Sequence, residues 1–263
     1  MKRLIINADD FGYNSDINRG IVRAHREGVL TSTTLMANGI AFADAVRLAH
    51  ETPGLDLGCH LVLVQGHAVA NGKPLPETPK QLLGVLARGG LDVYRELRAQ
   101  VEKILDAGIT LTHLDSHKHT HLVPGVFKVA VRLAREFSIP YVRLPLDATV
   151  RFSRLPFGLA GSYYRRIARN NGVLVTDRFL GFRLTGCLTE DALAAELERL
   201  REGVTEFMCH PGVLGPELKQ SRTRLKESRQ RELDALISPR IREVIAARGI
   251  RLGPFAKEPG SYS

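Results

Sequence analysis

The chain has no tryptophan, and aromatic residues make up only 6% of its 263 positions. The usual platform for stacking a sugar ring or a base is therefore missing, which leaves tyrosine and phenylalanine such as Phe152, Phe157, Tyr163 and Tyr164 for that role. Cysteine is scarce. Cys59, Cys187 and Cys209 are odd in number and widely spaced, which argues against a disulfide framework and for a reducing, cytoplasmic compartment. No apolar run approaches the roughly 20 residues of a membrane span. The start, MKRLIINADDFG, has only Leu4, Ile5 and Ile6 between its basic and polar residues, too short a core for a signal peptide.

What is abundant is positive charge. A formal net charge of +9 with an isoelectric point near 9.7 raises the question of a polyanionic partner. The densest basic run, Lys219 to Arg231 (KQSRTRLKESRQR), contains no aromatic residue to stack on a base. It reads as a solvated helical face, and no nucleic-acid partner is expected. With 44% apolar residues, a chain of this length can cover one large core, so residues 1–263 are expected to form a single domain.

Short β-branched or apolar runs alternate with amphipathic helical patterns along the whole chain, the rhythm of repeated βα units. Strands are expected at Leu4–Ala8, Thr31–Ala37, Leu55–Leu61, Ile109–Leu114, Pro140–Leu144, Val173–Arg178, Thr205–Cys209 and Ile250–Leu252. Asn14–Ser15 can cap a helix running to Gly28, Pro124 can open another, and Thr189 can cap EDALAAELERLREG. Seven or eight units point to a closed or nearly closed β/α barrel, although periodicity alone also allows an open doubly wound sheet. Two Pro/Gly-rich loops, Val64–Lys80 and Pro145–Gly158, interrupt the rhythm and are expected to cover a substrate.

In such folds the active site forms at the carboxyl ends of the strands. There the chain places Asp9-Asp10 after strand one and His60 after strand three. Strand four ends in the run THLDSHKHTH, strand five carries Arg143, and strand seven ends in His210. Each element has an ordinary alternative. Asp-Asp before Phe-Gly is also turn chemistry, a lone His60 can be a core histidine, and His-Pro-Gly is a common loop entry. The fourth run is harder to dismiss. His113, Asp115, His117, His119 and His121 alternate, so any extended part presents them on one face, and burying them together calls for a cation or a proton relay. Imidazole nitrogen with carboxylate oxygen suits Zn, Fe, Co, Ni or Mn, whereas magnesium generally prefers more oxygen. Two histidines and one aspartate leave coordination positions open, as catalytic sites do. The other carboxylate of the Asp9-Asp10 pair can then act as a base, and a histidine from another strand as an acid.

Taken in order, NADDFG, TSTTLMANG, GCHLVL, THLDSHKHTH and MCHPG resemble the motifs of the YdjC/ChbG family of carbohydrate deacetylases, and the resemblance runs from residue 3 to about 255. It implies a distorted β/α barrel that removes N-acetyl groups from sugars, chitooligosaccharides among them, with one divalent metal ion, magnesium or zinc. It places the metal on Asp10, His60 and His117, the base on Asp9 and the general acid on His210. Lys118 stands where the family often has a third histidine, a departure that touches substrate contacts more than the metal. His119 and His121 would orient His117 or Asp9 from behind, or be loop histidines without a role. Arg143 would orient a carboxylate or hold a sugar oxygen. The expected partner is an N-acetylated sugar, and a homodimer is allowed. Two rival functions share the same residues: a metal-dependent phosphoesterase or other amide hydrolase, and a non-catalytic carbohydrate-binding barrel, against which the retention of both Asp9 and Asp10 argues.

Overall fold

The computed structural model describes residues 1–146 and 157–255, with no side chains described for 157–160. Eight parallel strands alternate with helices: β1 (Lys2–Phe11), α1 (Ser15–Arg26), β2 (Ser32–Leu35), α2 (Phe42–His50), β3 (Asp56–Leu61), α3 (Pro79–Ala87), α4 (Val93–Asp106), β4 (His113–Ser116), α5 (Pro124–Glu136) and β5 (Tyr141–Val142). Then follow α6 (Phe157–Asn170), β6 (Arg178–Leu180), α7 (Glu190–Glu198), β7 (Gly203–Cys209), α8 (Pro216–Gln220), α9 (Glu227–Ile237), α10 (Pro239–Ala247) and β8 (Ile250–Leu252).

The strands hydrogen-bond in the order β5-β4-β3-β2-β1-β7-β6, and β8 pairs with the first residues of β1. One edge of β1 is thus shared: Lys2 to Leu4 face β8, while Asn7 to Phe11 face β2. The sheet curls into a distorted barrel. No regular ladder joins β5 to β6 among the described residues; a single bridge, Tyr141 to Leu174, stands there instead. That bridge explains why the expected strand Val173–Arg178 begins as a ladder only at Arg178, where it meets Thr205 of β7. The expected fourth strand, Ile109–Leu114, is likewise displaced to His113–Ser116, because pairing with Cys59 to Leu61 of β3 sets its limits.

The caps read from the sequence are in place. The Asn14 side chain accepts from the Ile17 backbone N–H at 2.9 Å and starts α1, Thr189 caps α7, and Pro124 occupies the first turn of α5. The loop Val64–Lys80 is less irregular than its prolines suggest. Gln65 N–H donates to Pro76, Leu75 N–H to Gly66 and Ala68 N–H to Lys73, so it folds back as a hairpin. The Glu96 carboxylate of α4 accepts from the Val69 and Ala70 amides, and Ala68 and Leu75 pack with Met36 and Val62. Most of the second loop, including Phe152, lies outside the described residues, as does the side chain of Phe157. No helix of the described residues is long and apolar enough to cross a membrane.

Candidate active site

Strand alternation should send Asp9 and Asp10 to opposite faces. The β1–β2 register slips between Ala8 and Phe11, and Asp10 has φ 72°, a left-handed conformation rare for a residue with a side chain. Both carboxylates consequently face a cavity of about 620 Å³ at the carboxyl ends of the strands, lined also by His60, His117, His119 and His210. Each aspartate is 3% exposed.

Asp10 lies at the centre of one cluster. Its Oδ1 is 3.0 Å from His117 Nδ1 and 3.4 Å from His60 Nε2, and its Oδ2 accepts from Arg229. The ligand atoms of Asp10, His60 and His117 all lie within 4.8 Å of one another, a mixed N/O set that can hold a metal ion; Asp9, His60 and Asp115 form a second such group. The other ring nitrogen of each histidine faces a neighbour. His60 Nδ1 is 2.7 Å from Asp115 Oδ1, and His117 Nε2 is 3.1 Å from Gln65 Oε1. With a metal ion in place of a ring proton, an N–H donated to those acceptors would leave His60 Nε2 and His117 Nδ1 as the ligating atoms, both turned toward Asp10.

The second cluster is built on Arg143, which is fully buried. Its Nη1 and Nη2 donate to the two oxygens of Asp9, both at 2.8 Å; Nη1 also lies 2.6 Å from Asp115 Oδ2, and Nε donates to Glu206 at 2.6 Å. Thr34 adds a hydroxyl to Asp115 at 3.1 Å. Burial by itself would raise Asp9, but Arg143, with His60 and His210, outweighs it and holds the carboxyl well below the usual range. Burial likewise works against Asp10, and Arg229 and His117 override it. Four acidic side chains, Asp9, Asp10, Asp115 and Glu206, thus face two guanidinium groups. The shortfall in positive charge shows in His60 and in Glu206 itself. Burial works against the charged form of His60, yet the surrounding carboxylates push it up to about 10, while burial pushes Glu206 up to about 7. A site that gathers protons in this way suits a cation, and the donor set fits a divalent one.

His210 follows β7. Its Nε2 is 4.0 Å from Asp9 Oδ2, and burial keeps the ring neutral, pushed down to about 4 with Asp9 opposing. Gly20 of α1 packs against the MCHPG turn, and a Cβ on Gly20 would meet Gly212 Cα at 2.4 Å, so only glycine fits at position 20.

The histidine run corrects the alternation argument. Only His113 and Asp115 share β4. From His117 to Leu122 the chain turns as a 3₁₀ segment, with Lys118 and His119 both at φ 52°. His113 points into the barrel below the site, where Gly58 makes room for it, bonded to Asn7 at 2.9 Å and stacked on Phe255. His121 touches neither His117 nor Asp9. It bonds the Ser116 hydroxyl and, through Nε2 at 3.0 Å, the Arg143 carbonyl, so it braces Arg143. His119 lines the cavity beside Phe179 and Phe182.

Two further expectations are overturned. The basic run 219–231 is not wholly a solvated face, since Arg229 is 1% exposed and reaches Asp10, while Arg222 and Arg224 line the cavity. Tyr164 is buried and donates to the Leu122 carbonyl at 2.5 Å; the aromatic residues that line the cavity are Tyr13 and Phe182. Of the loop Val64–Lys80, only Gln65 lines this cavity. Glu206, Glu232, Gln65 and Arg229 are contributions the sequence reading missed. A lone glutamate within TEFMC was a usable signal for the first.

The family model of the YdjC-like proteins matches residues 3–247. A carbohydrate deacetylase of Geobacillus stearothermophilus is 36% identical over 256 residues, covering 94% of each chain. A chitooligosaccharide deacetylase of Escherichia fergusonii is 34% identical over 265 residues, covering 96% of this chain and 97% of that one. Among solved structures, an Enterococcus faecalis protein described provisionally as a cellobiose-phosphate cleavage protein superposes with a TM-score of 0.79 at 27% identity, covering 97% of each chain. A lactam utilization protein of Thermus thermophilus shares the fold, with a TM-score of 0.53 at 16% identity and coverage of 95% of this chain and 99% of that one. With five ordered motifs, one curled barrel and a family match over nearly its whole length, the chain belongs to the YdjC-like protein family.

Proposed function

We propose that this chain is a metal-dependent deacetylase that hydrolyses the N-acetyl group of a sugar, oligosaccharide or glycoconjugate and releases acetate. The observation that carries the reading is the convergence of Asp10, His60 and His117 at the cavity, with Asp9 beside them and His210 opposite. The relatives named deacetylases support the same chemistry. Asp10, His60 and His117 would hold the ion; when bound, a divalent ion polarises a carbonyl oxygen and makes water more acidic.

The remaining steps belong to the protein. Arg143 keeps Asp9 ionised and aimed, so Asp9 is free to take a proton from the attacking water. The same pairing weakens Asp9 as a base, so its advantage is position more than basicity. As the water oxygen bonds the acetyl carbon, the C–N bond breaks and the departing nitrogen needs a proton. His210 is neutral and its Nε2 lies 4.0 Å from Asp9, so it is placed to accept there the proton Asp9 took from the water and pass it to that nitrogen. Acetate and the free amine result.

At the rim, the exposed Lys118, Arg222 and Arg224 suit a substrate with an anionic substituent such as a phosphate. The description of the E. faecalis neighbour agrees with that chemistry. A screen for acetate release from N-acetylated sugars, with and without phosphate and with metals added one at a time, tests the proposal. Release of inorganic phosphate without acetate would replace it with a phosphoesterase.

A further inference from the structure

Two buried polar atoms beside the backbone of His210 have no partner among the described residues: ring Nδ1 of His210 and Oε1 of Glu232. They are complementary, since one can donate and the other accepts. They are also neighbours through the chain. Glu232 of α9 is 1% exposed, and its Oε2 already accepts the His210 backbone N–H at 2.5 Å. In a histidine, only Cα, Cβ and Cγ separate the backbone nitrogen from Nδ1, so one carboxylate can serve both donors.

We propose that Glu232 is the positioning residue of His210, accepting the backbone N–H with one oxygen and the ring Nδ1–H with the other, directly or through one water. This arrangement fixes the ring tautomer and leaves Nε2 as the atom that exchanges a proton in the cavity. The other charged groups around the ring are Asp9 and Asp10 of β1, His60 of β3 and Arg229 of α9. Of these, Asp9 approaches the ring at Nε2. The Gly186 amide also faces the Glu232 carboxylate, without bonding Oε1. Arg229 and Glu232 are three residues apart on α9 and so share a face. One outer helix therefore addresses both Asp10 and His210. The catalytic meaning rests on the deacetylase reading; the tautomer does not.

The test is a two-bond ¹H–¹⁵N spectrum of the full-length protein with labelled histidine, His210 being assigned by its loss in His210→Ala. The wild-type ring is expected to carry its proton on Nδ1. In Glu232→Gln, the side-chain carbonyl keeps the backbone contact while the amide N–H₂ donates to Nδ1, so the proton should move to Nε2. A wild-type ring already protonated on Nε2, or a spectrum unchanged in Glu232→Gln, overturns the proposal; the wild-type spectrum decides it even if the variant folds poorly. In turnover, Glu232→Gln should lower kcat on an N-acetyl sugar by about 10–100-fold with KM within about twofold. It should cost nothing further when added to His210→Ala. An equal loss in that background would mean a purely structural role. If the wild-type protein releases no acetate, the functional reading fails while the tautomer still decides on Glu232.

Discussion

Arg143 holds Asp9 by two parallel hydrogen bonds, Nη1 to Oδ2 and Nη2 to Oδ1, each 2.8 Å long. The pair is buried and is braced from behind by Glu206 on Nε and by His121 on the Arg143 carbonyl. Asp9→Asn should keep metal binding and lose roughly 10²–10⁴-fold in kcat, because an amide nearly preserves shape and cannot take a proton. Near-normal turnover would remove Asp9 from the mechanism.

Arg143→Lys is not conservative here. A single ammonium cannot reach Asp9, Asp115 and Glu206 with the geometry of a planar guanidinium. The buried carboxylates left without partners should cost about 3–5 kcal/mol of stability in urea unfolding, whatever happens to activity. A loss under 1 kcal/mol would show that the network holds little.

Gln65 faces His117 Nε2 from the hairpin that follows β3. Gln65→Ala should weaken metal binding about 10–100-fold in calorimetry, the usual cost of removing the group that orients a ligating histidine. Excising Asn71–Lys73 at the tip of the same hairpin should leave metal affinity and sugar preference unchanged, because those residues lie off the catalytic cavity. Altered affinity in the excision variant alone would reverse these assignments.

His121 provides a test by pH. Burial, then Arg143, pushes its pKa down to about 3 from the ordinary 6.5, so the unfolded chain takes up the proton first as pH falls. Its stabilisation is complete above pH 6.5 and declines as pH drops toward 3. Wild-type stability should fall between pH 6.5 and 5 by about 1 kcal/mol per pH unit more than that of His121→Gln. Parallel profiles would contradict a buried neutral His121.

The strand ends were legible because the carboxyl-end rule gathers Asp9, Asp10, His60 and His210 whatever the exact strand limits. The histidine run was not, because two consecutive left-handed residues, Lys118 and His119, end the extended geometry on which the alternation argument depended. Arg229 was hidden for another reason. Its neighbours Lys226, Glu227 and Arg231 are ordinary surface charges, and only the packing of α9 against the His210 loop turns one arginine of that run inward. Strands β4 and β6 shifted because their partners, not their own composition, decide where pairing starts.

The most direct test of the account is metal titration of the chelated protein with calorimetry and acetate release followed together, in wild type and His117→Ala. One divalent ion per chain should bind the wild-type protein, and acetate release from an N-acetyl sugar should rise in proportion to occupancy and vanish on chelation. His117→Ala should lose both. Full metal content and full turnover in His117→Ala, or acetate release indifferent to chelation, would contradict the site proposed on Asp10, His60 and His117.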